Sequence, residues 1–211
     1  MKTKNSIKVL IVGNASVGKT AILNRFIDDK FEQQNATVCI NYLSKVIELP
    51  NHESVKLQIW DTAGSETYKS LAPMYYRDAD LAILTFAVGD INPESLISSR
   101  ESFEDIDLWH KEIMEFNKKT LFCICGNMSD IPEEQREITT EEGRDKAMSY
   151  NVDYFETSAK TGNGINELFT TMAQKCLERM EVEREAQQEP SPKPVPNETP
   201  KRGFFSWLFS C

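Results

Sequence analysis

"IKVLIVGNASVGKT", residues 7–20, decides the fold. Its first part, "IKVLIVG" (7–13), is a short apolar run with the length of a strand. The stretch that follows, "KTAILNRFID" (19–28), has helical spacing, with Ala21, Ile22, Phe26 and Ile27 as inward positions. Between them, "GNASVGKT" (13–20) fits the spacing G-x-x-x-x-G-K-[ST]. Gly13 and Gly18 let such a loop wrap tightly, so that the backbone N–H groups along Ala15, Ser16 and Val17 turn inward toward phosphate oxygens. The N-terminus of the helix adds partial positive charge. Lys19 is placed to bridge the outer phosphates of a nucleotide, and the Thr20 hydroxyl to ligate Mg2+.

Working outward, "LQIWDTAGSETY" (57–68) runs out of a strand into Asp61. An acid at the end of a neighbouring strand can hold the same Mg2+, directly or through water, and Gly64 can offer its backbone N–H to the terminal phosphate. "NYLSKVIELP" and "SVKLQIWD" read as two strands joined by a turn around Pro50–Ser54. "DLAILTFAVGD" and "TLFCICGNMSD" are near-continuous apolar runs, as in strands of a parallel sheet buried on both faces. "SFEDIDLWHKEIMEF" (102–116) has helical spacing, "VDYFETSAK" is a further strand, and "NELFTTMAQKCLERMEVERE" is a closing helix. Strands alternating with helices imply a doubly wound α/β fold. After the later strands come "GNMSD" (126–130), with Asn127 and Asp130, and "ETSAK" (156–160). A carboxylate such as Asp130 can accept hydrogen bonds from both the ring N–H and the exocyclic amine of guanine; adenine has no such donor pair.

Composition narrows the class. The chain has 211 residues, 40% of them hydrophobic, enough for one domain and a tail. A net charge of −9 argues against nucleic acid as a partner. Cys39, Cys123, Cys125, Cys176 and Cys211 are odd in number and scattered, which suits free thiols in a reducing compartment. Cys123 and Cys125 alternate within a strand and fall on one buried face, with no second pair to complete a metal site. The N-terminus lacks a signal-peptide pattern, and no apolar run has the length of a membrane span, so a cytosolic chain is expected. His52 and His110 show no nucleophile–base pattern and read as a turn residue and a helix residue. Near the C-terminus, "EPSPKPVPNETP" (189–200) reads as an extended linker, followed by the aromatic cluster "KRGFFSWLFSC".

The ordered set "GNASVGKT", "WDTAGSE", "GNMSD" and "ETSAK", with a switch threonine at Thr37, resembles a small GTPase of the Ras superfamily, closest to its Rab branch, over about residues 5–180. "PMYYRDAD" (73–80) and the trio Tyr42, Trp60 and Tyr75 resemble the Rab switch and its aromatic triad. The resemblance implies a P-loop G domain with a mostly parallel six-stranded sheet and helices on both faces. It implies a molecular switch, GTP-bound when active and GDP-bound when relaxed, that regulates vesicle or membrane traffic. By position, Lys19 contacts the β- and γ-phosphates, and Thr20, Thr37 and Asp61 serve Mg2+. Phe31 packs against the base, Asn127 and Asp130 read guanine, and Ser158, Ala159 and Lys160 support it. The hydrolytic group is Lys19, Thr37, Gly64 and Ser65. Implied partners are an exchange factor, a GTPase-activating protein, effectors and a prenylation escort. The chain is expected to be a monomer, cytoplasmic and peripheral on the cytosolic face of an intracellular membrane. Its expected domains are 1–180 (G domain), 181–200 (acidic, proline-rich linker) and 201–211 (membrane-targeting tail).

The sequence departs from the family pattern in four respects. Ser65 stands where a glutamine usually orients the attacking water, and serine is too short to span that gap, so slow hydrolysis is expected. The alternative is a GTP-binding scaffold that engages effectors without hydrolysis. Met128 stands where a lysine stem usually packs over the base; methionine keeps the stem and loses the charge. The segment from Phe31 to Thr37 is one residue shorter than the usual Rab spacing, and Cys39 replaces a usual glycine. The 91–103 stretch is about six residues longer than the family needs, a length a surface loop tolerates. At the end, Cys211 is a single terminal cysteine, the candidate for prenylation, with "FFSWLF" as a second membrane signal.

Overall fold

A computed structural model of the chain describes residues 6–32, 41–62, 72–89 and 98–188. Thr37, Cys39, Gly64, Ser65 and Cys211 lie outside the described residues, as do 90–97 of the longer stretch and the proline-rich linker and tail.

Six strands form one sheet: β1 (Ser6–Val12), β2 (Asn41–Glu48), β3 (Ser54–Asp61), β4 (Leu81–Ala87), β5 (Leu121–Asn127) and β6 (Asp153–Thr157). Their order is β2-β3-β1-β4-β5-β6. Only β2 runs antiparallel, paired to β3 through the turn at His52; every other pairing is parallel. The parallel register brings the carboxyl ends of the strands to one edge. Ile11 lies opposite Asp61, Ala87 opposite Asn127, and Asn127 opposite Thr157. Chain order changes direction at β1, and in such sheets the crevice beyond the strand ends is where ligands sit.

The helices are α1 (Lys19–Asp28), α2 (Ala72–Tyr76), α3 (Ser99–Glu104), α4 (Ile106–Phe116), α5 (Thr140–Tyr150) and α6 (Ile165–Gln188). Alternation along β1 separates two cores. Ile7, Val9 and Ile11 join Ile22, Leu23 and Phe26 of α1 and Leu168, Phe169 and Met172 of α6. Leu10 and Val12 join Tyr76, Phe103, Ile106, Ile113 and Ala147 from α2 to α5. All of β4 is buried, as a strand covered by helices on both faces must be. Phe26 stacks on Phe169 at 3.9 Å and ties α1 to α6. Cys123 and Cys125 are free, buried and packed in the same core. Burial pushes both thiols up, that of Cys125 to about 12.

Some local expectations shift. In α1, Leu23 is a core residue, while Ala21 and Ile27 are only partly buried. The helix expected over 102–116 is two helices that begin at Ser99 and part at Asp105. Ser98 caps the first with its side chain, so the end of the longer stretch is helical. The closing helix runs to Gln188, three residues past the expected helical stretch that ends at Glu185, so residues 181–188 of the expected linker division are its last turns. Glu, Arg, Ala and Gln are good helix formers, and the first proline beyond is Pro190. Among the described residues, no helix is long and apolar enough to cross a membrane.

Candidate functional site

The loop between β1 and α1 is shaped by two glycines. Gly13 has φ 146°, and a Cβ there would fall 2.0 Å from the Thr85 carbonyl oxygen of β4. Gly18 has φ 88°, and a Cβ there would meet Asn127 Nδ2 at 2.3 Å. Ser16 is also left-handed, with φ 65°. Such reversals along a short loop turn successive N–H groups to one side. Gly18 is the N-cap of α1 and offers no side-chain cap, so the first N–H groups of the helix have no capping partner of that kind.

Lys19 is buried beneath this loop. Its Nζ donates to the carbonyls of Gly13 (2.8 Å) and Asn14 (2.7 Å). Burial lowers its pKa to about 8, against the opposing pull of nearby Asp61. Thr20 Oγ1 donates to Asp61 Oδ2 at 2.7 Å. Asp61 is fully buried at the end of β3, and its Oδ1 has no hydrogen-bond partner among the described residues. Burial pushes its carboxyl up, while Thr20 and Lys19 pull it down. A buried oxygen left open beside a hydroxyl and an ammonium suits a hard divalent cation, which takes oxygen ligands. Thr62, next in the chain, donates its hydroxyl to Ile11 O and fixes the end of β3 to β1.

The other end of the crevice is built on β5 and β6. Asn127 is buried; its Nδ2 donates to Val17 O (2.9 Å), inside the phosphate loop. Its Oδ1 accepts from Thr157 Oγ1 (3.2 Å) and Ala159 N (3.3 Å). Asp130 is held at Oδ1 by Ser158 Oγ (2.6 Å), with Lys160 Nζ 3.6 Å from Oδ2. Met128 has φ 70°, and its Cε would touch a Cβ on Gly18 at 3.6 Å, so the thioether stem reaches over the phosphate loop. Phe31 is 45% exposed.

The structure therefore brings Gly13, Gly18, Lys19, Thr20 and Asp61 together at one end, and Asn127, Asp130, Ser158, Ala159 and Lys160 at the other. Ala15, Ser16 and Val17 form the loop between Gly13 and Gly18. Arg25, which no motif singles out, braces the base end from α1. Its Nε donates to Ala159 O (2.9 Å) and its Nη2 to Lys160 O (2.8 Å). Its only sequence signal is a charge beside the apolar stripe of α1.

Away from the crevice, Trp60 lies 5.1 Å from Tyr42 and 5.2 Å from Tyr75, ring centre to ring centre. The trio noted in the sequence is thus one contiguous aromatic group.

The family model described as Ras family matches residues 8–178. The chain belongs to the Ras family. It is 36% identical over 170 residues to the GTP-binding protein ypt5 of Schizosaccharomyces pombe, an alignment that covers 80% of this chain and 76% of that protein. It is 35% identical over 191 residues to the Ypt/Rab-type GTPase ypt7 of the same organism, covering 85% of this chain and 86% of that one. The chain is thus a Rab-like small GTPase of the Ras superfamily, and its mostly parallel sheet is that of a P-loop G domain.

Proposed function

We propose that this Rab-like chain is a GTP-binding switch in vesicle or membrane traffic, and that its hydrolysis of GTP is slow. The observation that carries the reading is the contact of Thr20 with Asp61 above a buried Lys19, at the mouth of a glycine-shaped loop. Phosphate would join the Gly13 and Asn14 carbonyls as a partner of Lys19 Nζ, whose ammonium has three donors, with the loop N–H groups and the α1 N-terminus adding more. Thr20 and Asp61, joined by Thr37, would hold Mg2+, which when bound neutralises charge between the outer phosphates. Asp130, fixed by Ser158, would take the guanine edge, with Lys160 and Ala159 beside it and Phe31 against the ring face. Gly64 would sense the γ-phosphate through its N–H.

Ser65 underlies the slow step. Its hydroxyl ends too close to the backbone to orient a water that glutamine reaches. Residues 1–180 make the switch domain. Beyond α6, the tail would reach a membrane through Cys211 and the aromatic cluster, leaving the chain peripheral on a cytosolic face. An exchange factor, a GTPase-activating protein, effectors and a prenylation escort are the partners this role requires.

The test is single-turnover GTP hydrolysis by the full chain, with the bound nucleotide identified after purification. Bound GDP or GTP and a slow rate are expected, with Ser65→Gln raising the rate by about tenfold or more. An unchanged rate in that variant removes Ser65 as the cause. Bound guanine nucleotide with no measurable turnover, alone or with a family activator, favours the scaffold reading.

A further inference from the structure

Asn14 occupies one of the unspecified positions of the loop motif, so the spacing gives it no role. Yet its side chain is buried, 4% exposed, with both ends committed. Its Nδ2 donates to Asp105 Oδ2 at 2.6 Å, and its Oδ1 accepts from Trp109 Nε1 at 2.9 Å. The partners settle the amide's orientation, because an ionised carboxylate only accepts and an indole N–H only donates. Asp105 is the residue at which α3 and α4 part, and Trp109 lies in the first turns of α4. The carbonyl of Asn14 is in turn one of the two acceptors of Lys19 Nζ. A continuous path therefore runs from the α3–α4 junction, through Asn14, to the lysine under the phosphate loop.

We propose that Asn14 is a positioning residue for nucleotide retention: Asp105 and Trp109 hold its side chain, and this sets the backbone that presents Lys19 and the loop N–H groups to the phosphates. The proposal rests on the nucleotide-binding reading above. It also gives the break at Asp105 a purpose, since the side chain that meets the loop sits where the two helices part.

The chemistry supplies an internal control. N14D places two carboxylates across a 2.6 Å contact. In N14D/D105N the carboxylate and the amide have changed places, and both hydrogen bonds can re-form with one polarity reversed while Trp109 still donates. Release of a fluorescent GDP analogue from the full chain, in Mg2+, is measured alongside the unfolding temperature. N14D is expected to speed release by about tenfold or more, and the double variant to return it to within about threefold of the parent. Trp109→Phe, which keeps a ring and removes the donor, is expected to speed release by a smaller factor and decides the matter should N14D not fold. Unchanged release in N14D, or a double variant that regains unfolding temperature while release stays fast, overturns the proposal. If the unmodified chain retains no GDP, the nucleotide-binding reading falls and takes this one with it. If it retains GDP and the variants release it at the parent's rate, this proposal alone falls.

Discussion

At the β1–β3 end of the crevice, Asp61 keeps a buried oxygen open and Lys19 is held under the loop with its pKa lowered by burial. At the β5–β6 end, the polar groups that shape the site are paired within the protein: Asn127 with Val17, Thr157 and Ala159, Asp130 with Ser158, and Arg25 with the two carbonyls beyond. A buried polar atom without a partner costs on the order of 1–3 kcal/mol, so it persists where something other than stability selects it. Among the described residues, the phosphate end has such an atom, Asp61 Oδ1, and the base end has none. On this account, the phosphate end is completed by its ligand, whereas the base end is a preformed frame.

Asp61→Asn should break the comparison most clearly. It keeps the acceptor for Thr20 and removes the charge offered to Mg2+. GDP affinity in Mg2+, measured by titration, should fall by about 100-fold or more, since charge-assisted contacts are the strong ones. The nucleotide-free chain should unfold within about 1 kcal/mol of the parent. A large loss of nucleotide-free stability would show that the phosphate end is as much a structural frame as the base end.

Asn127→Ala should do the reverse. It removes three hydrogen bonds at a buried position, and chemical denaturation of the nucleotide-free chain should show a loss of about 2–4 kcal/mol. Affinity should fall too, because the link to Val17 O ties the base frame to the phosphate loop.

Glu156 sharpens the base end by pH. It directly precedes Thr157, and it accepts from Arg136 (2.6 Å), Thr140 (2.8 Å) and Tyr154 (2.9 Å). Burial pushes its carboxyl up, but these hydrogen bonds outweigh that and hold it below the usual range. A depressed carboxylate contributes stability that is present above the unfolded-state pKa of about 4.5 and lost as pH falls below it. Glu156→Gln should therefore destabilise the chain by about 1–2 kcal/mol near neutrality and flatten the stability curve below about pH 4.5, read by thermal unfolding across pH. An acid limb as steep as the parent's would mean that Glu156 adds little to the frame.

The sequence made much of this visible, for physical reasons that vary by residue. The runs at 81–87 and 121–127 were legible because parallel strands buried on both faces must be apolar throughout. Helix α5 shows no such signal: among its residues only Gly143 and Ala147 are buried, and it is anchored by a capping box between Thr139 and Glu142 rather than by an apolar stripe. The break at Asp105 was hidden because helical spacing continues across it. Lys19 and Thr20 were legible because they open a helix at the end of a known phosphate spacing, and Asp61 because it is an acid at the end of a neighbouring strand. Asn14 and Arg25 were not, since their partners are 91 and 134 residues away and local pattern carries no record of such contacts.

The most direct test of a preformed guanine frame facing a ligand-completed phosphate end is thermal unfolding of the full chain stripped of nucleotide, with Mg2+ and either GDP or ADP. A ligand that binds only the folded state raises its stability by RT ln(1 + [L]/Kd). At about 1,000 times Kd, GDP should add about 4 kcal/mol, a rise of several degrees, while ADP leaves the midpoint unchanged. No shift with GDP, or equal shifts with both, would contradict the account.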